Sequence, residues 1–378
     1  MGASAAFWLT RMQPGLRVLV VERDPSYARA ATALSVASIR QQFSTPVNVA
    51  ISRFGIGFIR DFQAGLGRDV GIANLGLQEN GYLFLGHSAE APAQLDAMAA
   101  MQRSLGAATE VWSPEQVQAR FPWLAVDDLT AGSFGARDEG WFDNMGLLAG
   151  FRAAARLQGA QFVKDEVVGV SVAAGRVVAV QLGQGASVPC GALINAAGTR
   201  AAGVAAMAGL TLPVEPRKRT VFVIDAPNAR HPDAPLLIDA GFYLRPEQQH
   251  WITATVPSQD GPCDPDDFDP DLHLFEDVIW EQLYARAPGF DAVKVLRHWV
   301  GHYDYNTLDQ NAVLGPHPQV PNFHYMNGFS GHGLQQSPAV GRGIAEMVLT
   351  GGWQSLNLSD LSVDRVIAGR PFLETVVV

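Results

Sequence analysis

Within ten positions the stretch Asn327-Gly-Phe-Ser-Gly-His-Gly-Leu-Gln-Gln336 holds three glycines, a histidine and two glutamines. Glycines at 328, 331 and 333 free a loop to wrap a planar or anionic ligand with its backbone amides. A loop that only turns the chain rarely needs this composition, and ligand contact is the favoured reading. Trp299-Val-Gly-His-Tyr-Asp304, Asp309 and Gly315 lead into it, and a helix is expected to start at Pro338. Two further features are less specific. Gly2-Ala-Ser4 opens an apolar helix, and Glu22 ends the strand that follows. A dinucleotide fingerprint puts its third glycine at a helix start and an acidic residue about 20 residues on, for a ribose hydroxyl. The helix N-terminus would then offer its N–H groups to a pyrophosphate. A glycine before a helix is equally an ordinary helix start. Leu193-Ile-Asn-Ala-Ala-Gly198-Thr-Arg reads as a buried strand ending in small residues, where a backbone can approach a cofactor. It reads as well as a plain strand-to-helix turn.

The elements around these residues follow an α/β pattern. Residues 3–12 are helical in composition and Pro14-Gly15 stops them. Arg17 to Val21 is an apolar run of the kind a buried parallel strand shows. So the chain opens with helix, turn and strand. Read as a fingerprint, the motif's first strand and first two glycines lie before Met1. An N-terminally extended chain is then expected to be more stable and to hold its cofactor more tightly, because the absent strand belongs mid-sheet. Helices are expected over 46–63, 90–105, 114–120 (capped by Ser113), from Asp143 to Leu157, over 272–285 and over 340–349. Strands are expected over 76–86, as a hairpin-like pair at 162–172 and 177–182, at 192–195, and throughout 212–256. The Asp- and Pro-rich 260–271 segment reads as an exposed loop.

Composition narrows the class. The chain has 378 residues, 48% hydrophobic and 17% charged, with net charge −10. That is globular, and an acidic surface disfavours nucleic acid. Cys190 and Cys263 make neither a disulfide framework nor a metal site. The uncharged run from Val177 to Thr199 contains Gly183, Gly185, Pro189 and Gly191, so no transmembrane segment is expected. A cytoplasmic protein is the expectation, with a peripheral station at an inner membrane as the alternative.

The motifs together resemble the D-amino-acid oxidase, sarcosine oxidase and glycine oxidase superfamily of FAD-dependent oxidoreductases. The resemblance runs nearly the whole chain, through the Gly2-Ala-Ser helix start, Val-Val-Glu22-Arg-Asp, Ser35 to Arg40, Asp165-Glu-Val-Val168, Asn195-Ala-Ala-Gly, Gly-Phe-Tyr243-Leu-Arg-Pro and Gly-Phe-Ser-Gly-His-Gly. Arg40-Gln-Gln-Phe-Ser, Tyr303-Asp-Tyr-Asn and Gly-His-Gly-Leu-Gln-Gln resemble a narrower group. That group comprises mitochondrial FAD-dependent oxidoreductase domain proteins linked to assembly of a respiratory complex, with their bacterial relatives.

The resemblance implies a Rossmann-like FAD-binding domain built from residues 1–75, 143–210 and 312–378. A substrate domain on a mixed or antiparallel sheet would take 76–142 and 211–311. It implies a cofactor set of Gly2, Ser4, Glu22, Arg23, Ser35, Arg40, Gln41, Val167, Ala197 and Gly198. Gly328, Gly331, His332, Gly333, Leu334 and Gln335 would complete it. Glu22 would take the adenosine ribose and Val167 the adenine. The segment from Ser35 to Gln41 would run along pyrophosphate and flavin, and the late glycine loop would meet the flavin's pyrimidine edge. The FAD is expected to be non-covalent, because Val36 stands where some relatives carry a flavin-linking histidine. The implied chemistry is hydride transfer from the carbon beside an amine nitrogen, giving an imine that water hydrolyses. A carboxylate substrate favours a guanidinium fork, for which Arg245 beside Tyr243 is the first choice, with a surface arginine as the plain alternative. His332 could touch substrate or shape the loop. Gln335 stands where sarcosine oxidases carry a substrate-binding lysine, which argues against that same small N-methyl amino acid. No lysine lies between Lys218 and Lys294, which favours a dehydrogenase serving a quinone or electron-carrier protein over an oxidase. The rival readings are a non-catalytic flavoprotein or assembly factor and, less well supported, a nicotinamide dehydrogenase, which has no need of the second glycine-rich loop.

Overall fold

The computed structural model describes residues 1–72 and 74–377. Its largest element is an eight-stranded mixed sheet. Across it the strands run Lys294–Asn306, Val214–Asp225, His250–Thr255, Phe242–Glu247, Leu236–Asp239, Tyr82–Gly86, Ala131–Gly135 and Thr109–Trp112. All neighbours are antiparallel except Leu236–Asp239 against Tyr82–Gly86. Because side chains alternate across a strand, each strand serves two faces. Phe222, Ile224, Phe242, Leu244 and Trp251 turn to one face and pack under Leu274, Phe275, Ile279 and Leu283. Val221, Val223, Tyr243, Ile252 and Ala254 turn to the other, with Tyr82, Val36, Phe84, Trp141 and Trp299. This second face meets the rest of the molecule.

The remaining strands form small sheets. Leu19–Glu22 pairs in parallel with Gln161–Lys164. Leu193–Asn195 pairs in parallel with Val320–Asn327, which pairs with Val313–His317. Among the described residues Leu19–Glu22 and Leu193–Asn195 are each paired on one side only. The helix Gly2–Met12 packs against Asn144–Leu157 and Gly333–Thr350, through Phe7, Trp8, Phe151 and Ala345. No helix of the described residues is long and apolar enough to cross a membrane.

Three expectations need correction. Residues 162–172 are not one strand: Gln161–Lys164 joins Leu19–Glu22, and Val167–Ala173 begins a separate antiparallel sheet with Arg176–Leu182. Asp165 and Glu166 separate the two, and both runs are apolar enough to look continuous. The expected strand over 76–86 is ordered only as Tyr82–Gly86, with Gln78 bridging to Trp141. Pro338 does not start a helix. The helix begins at Gly333 and Pro338 lies inside it. An internal proline removes the amide that would bond the carbonyl four residues back. Here that carbonyl, on Leu334, accepts instead from Ser337 Oγ at 2.8 Å.

Candidate active site

The late glycine loop joins a strand of one sheet to the Gly333–Thr350 helix, and its backbone is contorted for that purpose. Gly328 and Gly331 have φ of +71° and +95°. A Cβ on Gly331 would stand 2.9 Å from the Tyr303 ring, so glycine is needed both for conformation and for close approach. Several of the loop's amides are used internally: Gly328 N–H donates to Asp304 Oδ2 at 2.8 Å, and Ser330 N–H to the Asp304 carbonyl at 3.1 Å. Among the described residues, the amides of Gly331, Gly333, Leu334 and Gln335 donate to no protein acceptor. These are the unpaired donors at the positive end of an 18-residue helix.

Beside this helix end runs the 34–42 segment. Its carbonyls hold it to the large sheet. Trp299 Nε1 donates to Leu34 O at 2.8 Å and Arg245 Nε to Val36 O at 3.1 Å. Its other side meets the helix, with Arg40 N–H donating to Gln335 Oε1 at 2.9 Å. Ser35 Oγ accepts from Ala37 N–H, which stabilises Ala37 at φ +60°. Three separate parts of the sequence thus converge: 34–42, 328–335 and the inner face of the sheet.

Three arginines, Arg40, Arg219 and Arg245, are buried at this junction. Arg219 is held bidentately by Asp260 at 2.7 and 2.8 Å and lies over the Tyr303 ring. Arg245 pairs with Glu247 at 2.6 Å and lies over Trp141. Arg40 differs. It is 3% exposed, yet among the described residues it has no carboxylate in ion-pair range. Its guanidinium donates to the Gln42 and Val376 carbonyls and to His332 Nε2 at 2.9 Å, and rests on Phe43. Since a guanidinium only donates, His332 Nε2 must accept. The ring is therefore neutral with its proton on Nδ1. Burial and the Arg40 charge agree, holding the His332 pKa well below the usual imidazole value.

Three tyrosines share the junction. Burial raises the hydroxyl pKa of Tyr82 to about 12, and those of Tyr243 and Tyr303 also rise from burial. All three are neutral hydrogen-bonding groups at ordinary pH. Glu139 is fully enclosed, and burial pushes its carboxyl up to about 7. It accepts from Gln41 N–H and from Gln42 Nε2, each at 2.8 Å. Gln41 Oε1 is buried without a partner among the described residues.

The other sequence-derived candidates gather at a second place. Gly2 starts its helix against Ala196, 3.7 Å from a notional Cβ. Ala197 N–H turns back to Asn195 Oδ1, and Gly198 follows at φ +54° with open space around it. Glu22 is partly buried, and burial raises its carboxyl pKa. The Asp165 amide donates to the Glu22 carbonyl, which places Val167 two residues farther on. Arg23 is half exposed and 3.7 Å from Asp266. Ser4 is turned inward, its hydroxyl donating to the Ser337 carbonyl at 2.7 Å.

Of the four residues expected to act in catalysis, His332 and Gln335 both touch Arg40, while Tyr243 and Arg245 belong to the sheet face opposite. Tyr303 links the groups: Gly331 packs on it and Arg219 stacks over it. The sequence reading passed over Arg219, Asp260, Tyr82 and Glu139. The one available signal was the alternation of Arg217, Arg219, Val221 and Val223, which puts a charge at the end of an inward-facing row.

Residues 1–347 match the family model described as DAO, FAD dependent oxidoreductase. The chain is 40% identical, over 98% of its length and 83% of the other, to FAD-dependent oxidoreductase domain-containing protein 1 of Bos taurus. Among solved structures it is similar to L-proline dehydrogenase from P. horikoshii, with TM-score 0.86 at 24% identity over 98% of this chain and 96% of that one. Glycine oxidase from Geobacillus kaustophilus superposes with TM-score 0.79 at 20% identity, over 96% and 94%.

Proposed function

Because this chain belongs to the DAO family of FAD-dependent oxidoreductases, we propose that it oxidises the C–N bond of an amine that carries a carboxylate, most simply an amino acid. The residues present fit FAD. Free amides at the Gly333 helix end suit the electron-rich edge of a flavin, and the unfilled space at Gly198 and the Gly2 helix start suit a pyrophosphate. When bound, FAD supplies the two-electron acceptor for a hydride from the carbon beside the nitrogen.

The observation that carries the substrate reading is Arg40. Among the described residues Arg40 is a buried cation without an ion-paired anion, which is costly, and a substrate carboxylate would supply such a partner in fork geometry. Arg219 and Arg245, already neutralised by Asp260 and Glu247, have less to gain. This moves the carboxylate anchor from Arg245 to Arg40, leaving Arg245 to fix the Val36 backbone. Neutral His332 keeps Arg40 aimed, and Gln335 fixes its amide. The hydroxyls of Tyr82, Tyr243 and Tyr303, held neutral by burial, are suited to orient the amine with the reacting carbon toward the flavin. Of the two lysines in the large sheet, Lys218 is occupied by Asp267 and Asp271 and Lys294 is exposed at the outer end of its strand, opposite Asp225, so neither is placed for oxygen chemistry. This supports a dehydrogenase that passes electrons to a quinone or carrier protein.

The test is anaerobic bleaching of the flavin by matched pairs of substrates, with and without the carboxylate. Amino acids should bleach it and their decarboxylated amines should not. Arg40→Ala should lower kcat/KM roughly 10- to 150-fold, the value of a lost hydrogen bond to a charged group. A flavin that no amine in the panel bleaches would sink this reading and leave a non-catalytic flavoprotein.

A further inference from the structure

The Asp-rich segment expected to be a plain exposed loop is tied down at both ends, and unequally. Its base is fixed to the Val214–Asp225 strand. Asp260 grips buried Arg219 with two hydrogen bonds. Cys263 N–H donates to the Pro216 carbonyl at 3.0 Å, Asp271 N–H to Thr220 Oγ1 at 3.0 Å, and Lys218 bridges Asp267 and Asp271. Farther along, Asp267 is held by Lys218 and the Phe268 ring meets His302 of the large sheet edge-on at 4.7 Å, while Asp266 reaches residues outside that sheet. Asp266 pairs with Arg200 and lies 3.7 Å from Arg23, and the Phe268 ring lies 4.8 Å under the Arg29 guanidinium.

Those three arginines lie beyond the carboxyl ends of two different parallel-paired strands. Arg23 and Arg29 follow Glu22 at the end of one parallel strand. Arg200 ends the turn that Gly198 opens, after the strand Leu193–Asn195. In α/β folds a nucleotide sits beyond the carboxyl ends of such strands. Asp266 therefore ties together the segments that follow both strands, where a bound FAD would lie.

We propose that residues 260–271 form an electrostatic latch over bound FAD, with Asp266 as its catch. The strengths are arranged as a latch requires. The base contacts are shielded, with the Arg219 side chain 6% exposed. The Asp266 contacts are open, with Arg23, Arg200 and Asp266 at 48%, 33% and 55%. Exposed ion pairs are weak and screened by salt, so the Asp266 catch releases while the rest of the loop stays seated. When shut, one aspartate shared between two arginines leaves a surplus positive charge at the rim, facing a diphosphate. The loop also joins Arg219, at the three-arginine junction, to the segments beyond the two strands, through Asp260 and Asp266.

The latch is tested without any amine, so its failure and that of the substrate reading are separable. Holoprotein is mixed with an excess of a flavin-scavenging apoprotein, and FAD release is followed by fluorescence at rising NaCl. For the wild type, release should accelerate as salt rises. Asp266→Asn should release FAD roughly 3- to 10-fold faster at low salt, with little further salt dependence, a scale set by the weak pairs removed. It should also take up FAD faster, because a gate acts on both directions. Phe268→Ala should show a smaller effect of the same kind. Equal release rates in Asp266→Asn and wild type would overturn the proposal. So would slower release, which would make Asp266 only a charge repelling the diphosphate, and so would faster release with an unchanged uptake rate, the mark of a simple contact. If Asp266→Asn does not fold, Arg200→Gln and the wild-type salt dependence decide the same question.

Discussion

Glu139 sets a buried acid against the site, and its titration has a definite sign. Burial raises its carboxyl to about 7 and that of Asp304 to about 6. A raised acid pKa means that the folded chain keeps a proton which the unfolded chain releases near pH 4.5. The folded state binds more protons between those values, so stability falls as pH rises through the window from about 4.5 to 7. At about 1.4 kcal/mol per pKa unit, Glu139 alone accounts for about 2–4 kcal/mol across it. The melting temperature should therefore decline from pH 5 to pH 8, and Glu139→Gln should flatten that decline. A variant whose profile runs parallel to the wild type's would show that other groups set the slope. None of this was legible in the sequence. Glu139 meets Gln41 across 98 positions and Asp260 meets Arg219 across 41, and whether Arg40 has an anion beside it depends on what the whole fold brings near. Gly328, Gly331, His332 and Gln335 were legible because their spacing is local.

The two helices whose N-terminal ends we propose to face the cofactor, Gly2–Met12 and Gly333–Thr350, are fastened to each other by polar side chains as well as apolar ones. Ser4 Oγ bonds the Ser337 carbonyl, and Trp8 Nε1 bonds the Pro338 carbonyl at 2.9 Å. These contacts cross the turn that Pro338 disturbs, where helical bonding is weakest. They need Gly341 opposite, since a Cβ there would lie 2.1 Å from Ser4 Oγ and 2.8 Å from Ser4 Cβ. Gly341→Ala must push the helices apart or break the Ser4 bond. The expected cost is about 1–3 kcal/mol, as for other overpacked contacts, partly offset by the better helix propensity of alanine. Flavin occupancy should fall with it, because both helix ends shift relative to each other. Calorimetry with flavin quantitation on the purified variant checks both, and unchanged stability would show that the two helices separate by a methyl's width at no cost. At this scale the sequence was informative about most helices, where the 3.6-residue period and caps such as Ser113 and Asp143 are local signals. It misled at Pro338 and at 162–172, where one side-chain bond and two acidic residues override a simple pattern.

Across the whole molecule, the segment after Arg370 closes over the early part of the chain at the site. Glu374 has no exposed surface. Its carboxylate accepts from Ser44 N–H and Oγ at 2.8 and 2.6 Å, and from Thr45 Oγ1 and Asn48 Nδ2 at 3.0 Å each. Its own amide donates to the carbonyl of Asp309, whose side chain holds Arg365 at 2.7 Å. Two residues on, the Val376 carbonyl receives the Arg40 guanidinium. Asn48, Asn311 and Asp309 thus couple the Pro46–Arg60 helix, the end of the large sheet and this last segment into one polar network around Arg40. Such a network is worth most when complete, and removing its central acceptor strands several buried donors at once. Glu374→Ala should therefore cost about 3–5 kcal/mol, whereas Glu374→Gln, which keeps one acceptor oxygen, should cost less. Because the segment helps to fix Arg40, KM for a carboxylate substrate should rise in Glu374→Gln while its flavin content holds. Stability and steady-state kinetics on the two variants separate these effects. A Glu374→Gln protein with wild-type KM would show that the Gln335 and His332 contacts suffice to hold Arg40, and that the terminal segment is a structural tie without influence on the site.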